Sequence, residues 1–191
     1  MNLFEKIFFR DQHTCPWWLG FALDNPLRRW LQKPDLILKG LVQQGQTALD
    51  VGCGTGYFSV AMARAVGPTG KVICIDLQEK MLEMASRRAE RAGLSKVMQF
   101  HKCTEDSLGL KVVADFALAF YMVHEVRDKR KFLGEIRDML KVGGAFLMVE
   151  PKHHVTEAAF SETVSLAVAL GFEAVNRPAR NWSWAVLLKK L

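Results

Sequence analysis

Three glycines, each separated from the next by one residue, follow an apolar run that ends in an acid, in the segment TALDVGCGTGYFS at positions 47–59. Glycine in such a loop lets a ligand approach the main chain closely, because no side chain stands in the way. A dinucleotide-binding turn has its third glycine five positions after the first, where this chain has Tyr57. Here the third glycine is Gly56, four positions after Gly52, so the spacing departs from the dinucleotide pattern.

An acidic residue, Asp76, ends the next apolar run, KVICID at 71–76, 20 residues beyond Gly56. A carboxylate at that place can accept hydrogen bonds from both hydroxyls of a ribose. Asp50 puts a negative charge close to the loop, which suits an ammonium or a sulfonium better than a phosphate. Together the loop and Asp76 predict a nucleoside ligand. A nicotinamide oxidoreductase is disfavoured, because the chain also lacks a Tyr-x-x-x-Lys motif.

Hydrophobic periodicity indicates the elements that position these residues. Strand-length apolar runs occur at 47–52, 71–76, 97–102, 115–122 and 144–150, and amphipathic helical segments at 57–66, 79–92 and 129–140. This alternation predicts a mainly parallel sheet with helices on both faces. The glycines of RAGL (91–94) and VGG (142–144) are expected to end the helices that precede the third and fifth strands.

The last part of the chain predicts a helix at 156–170 and two more strands, FEAVNRP and WSWAVLLKK. Only a few residues separate these two strands, too few for a helical crossover, so they are expected to pair antiparallel. The sequence therefore predicts an α/β fold, a Rossmann-like seven-stranded and mainly parallel sheet that closes with an antiparallel C-terminal hairpin.

The segments LDVGCGTG, CIDLQEKML and FALAFYMVHEVRDKRKFLGEIRDMLKVGGAFLMVEP resemble the class I S-adenosylmethionine-dependent methyltransferases. They are most similar to the small-molecule group that includes ubiquinone and menaquinone biosynthesis methyltransferases. The resemblance covers residues 35–191, which we predict to be one methyltransferase domain. It implies S-adenosyl-L-methionine as the cofactor and in-line methyl transfer to a small organic molecule.

The resemblance also implies a cofactor site. Its residues would be Asp50, Gly52, Gly54, Gly56, Asp76, Leu77, Cys103, Thr104, Glu105 and Phe120. In this interpretation the glycine loop approaches the methionine and ribose parts, with Asp50 near the amino group. Asp76 holds the ribose hydroxyls and Leu77 lies against the adenine. The segment 103–105 forms the opposite wall, while Phe120 and Tyr121 border the methyl group.

Residues for the acceptor side follow the fourth and fifth strands, because ligands bind at the carboxyl ends of strands in open α/β sheets. Methyl transfer needs a base only if the acceptor must first lose a proton. His124 and Tyr121 are the candidate catalytic residues, and His124, His153 and His154 are candidates for acceptor binding. His124 is explained equally well as a pocket wall. The spacing of the three histidines is unspecific for a metal, and no metal is predicted.

The first 34 residues are rich in aromatic side chains. In related methyltransferases a helical N-terminal segment covers the cofactor, so residues 1–34 are predicted to form a lid in which Trp17 and Trp18 close over the acceptor. Three alternatives stay open. The aromatic residues could pack the N-terminus onto the domain, or the segment could contact a membrane surface, since apolar residues recur there at helical spacing beside basic ones. Cys15, with Cys103, could instead serve a metalloid acceptor.

Composition limits the remaining function classes. The 191 residues, 50% hydrophobic and 24% charged, fit one domain with a substantial core. No apolar run reaches the ~20 residues of a spanning helix and no secretory signal is evident, so a cytoplasmic protein is predicted. The net charge of +6 is dispersed, and FYMVHEV lacks the Asn-Pro-Pro-Tyr type of motif, which disfavours nucleic acid as a partner. An RNA methyltransferase and a non-enzymatic cofactor-binding scaffold remain alternatives, with the oligomeric state left open.

Overall fold

Seven strands and five α-helices make up the described part of the computed structural model, residues 32–178 and 182–191. The strands are β1 (Thr47–Val51), β2 (Lys71–Asp76), β3 (Met98–Lys102), β4 (Ala114–Phe120), β5 (Leu140–Pro151), β6 (Phe172–Asn176) and β7 (Ser183–Lys190). The helices are α1 (Pro34–Leu38), α2 (Tyr57–Val66), α3 (Glu79–Arg91), α4 (Lys129–Met139) and α5 (Glu157–Ala169), with a 3₁₀ turn at Val123–Glu125.

All seven strands belong to one sheet in the order β3-β2-β1-β4-β5-β7-β6. The first five strands are mutually parallel, whereas β7 is antiparallel to both of its neighbours, β5 and β6. The predicted fold class, including the antiparallel hairpin, is confirmed.

Helices cover both faces of the sheet. The apolar side chains of α1, α2 and α3 pack in one cluster, and those of α4 and α5 pack in another with the opposite face of the strands. Neighbouring residues of the central strand β4, such as Ala117 and Leu118, are both fully buried. A parallel strand covered on both faces is apolar throughout rather than alternating, which is the pattern seen here.

The glycines of the VGG segment play a different role from the predicted one. Helix α4 ends at Met139, and β5 begins at the next residue, Leu140, before the VGG segment. Ala114 pairs with Leu140, but Phe116 pairs with Ala145, so the register shifts between these pairs. The prediction that VGG stops the helix is therefore wrong, since these glycines shape an irregularity inside the strand.

The helix stop predicted at RAGL is confirmed. Helix α3 ends at Arg91, and Gly93 adopts a left-handed conformation with φ of 69°. Its N–H donates to the carbonyl of Glu90, and the N–H of Leu94 donates to the carbonyl of Ala89. These bonds satisfy carbonyl groups that the helix end leaves without helical partners.

The N-terminal predictions lie almost entirely outside the described residues. Trp17, Trp18 and Cys15 are among the residues not described, and of the predicted lid only 32–34 are described, where Pro34 begins α1. The domain boundary at residue 35 stays a prediction. Among the described helices, none has the length and apolar character needed to cross a membrane.

Candidate active site

The candidate site lies at the carboxyl edge of the parallel strands, where β1 stands between β2 and β4. The chain leaves β1 towards β2 on one side and returns to β4 on the other. Such a reversal of strand order is where open α/β sheets bind ligands. The segments that follow the five parallel strands meet at this edge, namely Gly52–Gly56, Leu77, 103–105, 121–125 and 152–155.

Backbone hydrogen bonds tie the glycine loop to β2. The N–H groups of Gly52 and Cys53 both donate to the carbonyl of Ile75, at 2.8 and 3.0 Å. The N–H of Gly54 donates to Oδ2 of Asp76 at 2.9 Å. The loop and the acid predicted to bind one ligand are therefore directly bonded to each other.

The three glycines are required for different reasons, although all have positive φ. A Cβ on Gly52 would lie 2.7 Å from Cγ of Met122, and a Cβ on Gly56 would lie 2.9 Å from Cβ of Ala85 in α3. A Cβ on Gly54 would meet nothing within 4 Å. Protein packing explains the absence of a side chain at Gly52 and Gly56, so among the three Gly54 offers open space for a ligand.

The two acids near the loop are both buried. Asp76 is 8% exposed, and its two carboxylate oxygens accept the N–H groups of Gly54 and Gln78. Burial raises the pKa of Asp76, and these hydrogen bonds offset part of the effect. A carboxylate has about four lone-pair positions, so ribose hydroxyls could still be accepted. Asp50 lies in β1, two residues before Gly52, is 2% exposed and accepts the Ser59 hydroxyl at 2.5 Å.

The segment predicted as the opposite wall begins beside Asp76. The N–H of Cys103 donates to the Asp76 carbonyl. Burial raises the pKa of the Cys103 thiol to about 11, so it is protonated at neutral pH, which disfavours a thiolate role towards a metalloid. Thr104 and Glu105 are exposed, and Glu105 pairs with Arg127 at 3.3 Å. Their contact with a cofactor stays a prediction, as does that of the half-buried Leu77.

One aromatic residue, Phe120, ends β4, and a second, Tyr121, follows it. Phe120 is 8% exposed and stacks on Phe58 of α2, with ring centroids 4.3 Å apart. Tyr121 has a φ of 61°, a left-handed conformation that is uncommon for a residue with a side chain. Its hydroxyl is hydrogen-bonded to the hydroxyl of Ser183 in β7. Sequence reasoning missed Ser183, because nothing local to β7 indicates its partner.

His124 lies in the 3₁₀ turn after β4 and is bonded to a residue that sequence reasoning missed, Glu150. Nδ1 of His124 lies 2.5 Å from Oε2 of Glu150, whose side chain is 3% exposed. Burial on its own lowers the pKa of His124, but the hydrogen bond and the charge of Glu150 contribute to a net increase. The sequence feature that could have indicated Glu150 is a single acid at the end of an otherwise apolar strand segment, AFLMVE.

The three histidines predicted for the acceptor side come together. The ring of His154 lies 5.7 Å from that of His124 at an interplanar angle of 6°, and the ring of His153 lies 4.4 Å from that of His154. Burial and the charges of the other two histidines lower the pKa of His154. Within the described residues, no group of three or more His, Cys, Asp or Glu side chains is placed to hold a metal ion.

Comparison with known sequences identifies relatives of this chain. A family model described as a methyltransferase domain matches residues 43–181. Demethylmenaquinone methyltransferase of Oceanobacillus iheyensis is 31% identical over 62% of this chain and 50% of the relative. The ubiquinone/menaquinone biosynthesis C-methyltransferase UbiE of Escherichia coli is 32% identical over 57% of this chain and 44% of the relative. The chain therefore matches about half the length of these relatives.

A solved structure has the same fold. A SAM-dependent methyltransferase from Aquifex aeolicus superposes with a TM-score of 0.84 at 24% identity, covering 93% of this chain and all of that chain. The match of the family model to most of the chain and the shared fold agree with the resemblance seen in the sequence. This chain belongs to the methyltransferase domain family and has the class I fold of S-adenosyl-L-methionine-dependent methyltransferases.

Proposed function

We propose that this protein transfers a methyl group from S-adenosyl-L-methionine to a small organic molecule, the aromatic ring of a reduced quinone precursor. The observation that carries the proposal is the open space at Gly54, whose N–H is bonded to the buried Asp76 at the switch point of the sheet. The names of the two relatives, a demethylmenaquinone methyltransferase and a quinone biosynthesis C-methyltransferase, support the acceptor class.

The described residues fit this cofactor. Gly54 leaves room for a ligand against the main chain, and Asp76 retains capacity to accept ribose hydroxyls. The carboxylate of Asp50, in β1 just before the loop, suits a ligand that carries positive charge. When bound, S-adenosyl-L-methionine would supply an electrophilic methyl carbon attached to a cationic sulfur, and an acceptor nucleophile would attack that carbon in line with the sulfur that leaves.

The acceptor would lie at the edge formed by the segments after β4 and β5. His124 is 25% exposed there, next to the exposed rings of His153 and His154. An imidazole at this position can take a proton from an acceptor hydroxyl. Tyr121, whose hydroxyl is held by Ser183, would border the reacting carbon. Trp17 and Trp18, outside the described residues, are proposed to cover the acceptor from above.

Calorimetric titration of the purified protein with S-adenosyl-L-methionine, S-adenosylhomocysteine and NAD tests the proposal. We expect binding of both adenosyl compounds, no binding of NAD, and methyl transfer to reduced 1,4-naphthoquinone. Folded protein that binds neither adenosyl compound would overturn the proposal. If the protein binds the adenosyl compounds but methylates only RNA, it would be an RNA methyltransferase. If it binds them but methylates no acceptor, it would be a non-enzymatic scaffold.

Replacing Asp76 by alanine is expected to weaken S-adenosyl-L-methionine binding by about 1–3 kcal/mol, roughly 5- to 150-fold in Kd, because charged hydrogen bonds to the ribose are lost. Stability also falls, since two backbone N–H groups lose their acceptor. Asp115→Ala is the matched control. Asp115 accepts the N–H of Thr47 and pairs with Lys141 at the start of β4, the opposite edge of the sheet. Unchanged Kd in Asp76→Ala, or an equal loss in both variants, would contradict the assigned role.

A further inference from the structure

Glu150 is a buried acid near the end of β5, and among the described residues its hydrogen-bond partners lie in one short segment, Val123 and His124. Its Oε1 accepts the N–H of Val123 at 2.9 Å, and its Oε2 accepts the N–H of His124 at 3.2 Å and contacts Nδ1 of His124 at 2.5 Å. A carboxylate that is 3% exposed is costly unless several donors compensate it. This carboxylate therefore fixes both the main chain and the ring of His124.

The contact determines which nitrogen of the ring carries hydrogen. An ionised carboxylate can only accept hydrogen bonds, so the hydrogen of the neutral imidazole of His124 must be on Nδ1. Nε2 then keeps its lone pair. The ring is 25% exposed at the carboxyl edge of the sheet and stacks against His154. The lone pair is thus available on a ring held by two neighbours.

Charges around His124 come from three elements. Burial lowers its pKa, Glu150 of β5 and Glu125 of its own turn raise it, and Lys129 of α4 lowers it, with a net increase above the ordinary 6.5. The ring of His154, from the turn after β5, lies against it. A base must be unprotonated to act, so activity that depends on His124 should increase as the pH rises through this raised pKa.

We infer that Glu150 is a positioning residue that orients His124, in one tautomer, as the general base for an acceptor whose hydroxyl must lose a proton before methylation. The inference rests on the proposed function. The hydroxyl proton of the hydroquinone moves to Nε2, and the ring carbon forms a bond to the methyl carbon. The methyl–sulfur bond breaks and its electron pair stays on sulfur. The ring carbon then loses its own proton to water, and the imidazolium returns a proton to the oxygen.

Glu150→Gln tests this role because it removes the charge and keeps the size of the side chain. With reduced 1,4-naphthoquinone as the acceptor, we expect kcat to fall about 10- to 100-fold. The acidic limb of the pH profile should also move to lower pH, since His124 loses the neighbouring charge. Glu150→Asp keeps the charge and should leave the limb near its original pH. A role limited to holding the turn would lower the rate equally at every pH, and that result would overturn the inference.

Nitrogen NMR of the His124 ring, without any acceptor, provides a second readout. Wild-type protein above the pKa should show hydrogen on Nδ1 and a bare Nε2, whereas hydrogen on Nε2 would overturn the inference even if Glu150→Gln failed to fold. Calorimetry with S-adenosyl-L-methionine on the same samples separates the two proposals. Absence of cofactor binding by the wild-type protein would contradict the proposed function. If the cofactor binds normally but the acidic limb of the pH profile of Glu150→Gln stays where it is in wild type, only the role of Glu150 is contradicted.

Discussion

Replacement of His124 by phenylalanine is expected to lower kcat about 100- to 10,000-fold, the range by which a positioned base accelerates a proton transfer. Phenylalanine keeps a planar ring that can stack on His154, and the backbone N–H groups still reach Glu150. The affinity for S-adenosyl-L-methionine should therefore stay within about threefold of wild type. The free energy of unfolding should fall by about 1–3 kcal/mol, because the bond from Nδ1 to Glu150 is lost.

The control for this variant is His101→Phe. His101 lies in β3, and its Nε2 donates to the carbonyl of Leu108 at 2.8 Å. Its replacement should lower stability with little effect on kcat. Steady-state kinetics with reduced 1,4-naphthoquinone, together with calorimetry, checks both variants. If His124→Phe retained wild-type kcat, His124 would be a pocket wall and not a base.

Substitution of alanine for glycine should separate ligand binding from packing within one loop. Gly54→Ala is expected to weaken S-adenosyl-L-methionine binding about 10- to 100-fold, because the new methyl group occupies the open space. Its cost to folding should be limited to about 1–2 kcal/mol for a left-handed alanine. Gly56→Ala adds an overlap with Cβ and Cα of Ala85, at 2.9 and 3.1 Å, so we expect a loss of stability of about 2–5 kcal/mol.

Urea unfolding and calorimetric titration of both variants measure the two effects. The expected pattern is a larger loss of affinity in Gly54→Ala and a larger loss of stability in Gly56→Ala. The reverse pattern would place the ligand elsewhere. A second change at Ala85, to glycine, should recover part of the stability of Gly56→Ala, since it removes one of the two overlapping atoms.

The fold and the contact between the glycine loop and Asp76 were predictable because their signals are local in the sequence. Apolar runs of strand length alternate with amphipathic helices, and Asp76 directly ends the run that pairs with β1. Gly54 follows β1 and Asp76 ends the neighbouring strand β2, so parallel pairing alone brings them together. The different roles of Gly52 and Gly56 could not be predicted, because Met122 and Ala85 reach them from distant segments.

The contacts around His124, on the proposed acceptor side, were less predictable because the partners are far apart in the sequence. Glu150 and His124 are 26 residues apart, and no periodicity links a residue in a turn with an acid at the end of the next strand. The role of Gly143 and Gly144 was also misjudged. By residue type these two glycines are typical of a helix end. However, Leu140 pairs with Ala114, so the strand starts before them. The burial of Leu140 in the sheet outweighed the preference of the two glycines for a turn.

The position of β7 in the sheet has a consequence for synthesis on the ribosome. This strand, 183–190, lies between β5 and β6, although it follows both in the chain. Until it has been translated, the long edge of β5 has no antiparallel partner, and the nascent protein exposes unpaired backbone groups of a kind that invites association between chains. Chaperone capture of released chains truncated before residue 183 should therefore exceed capture of the 191-residue chain.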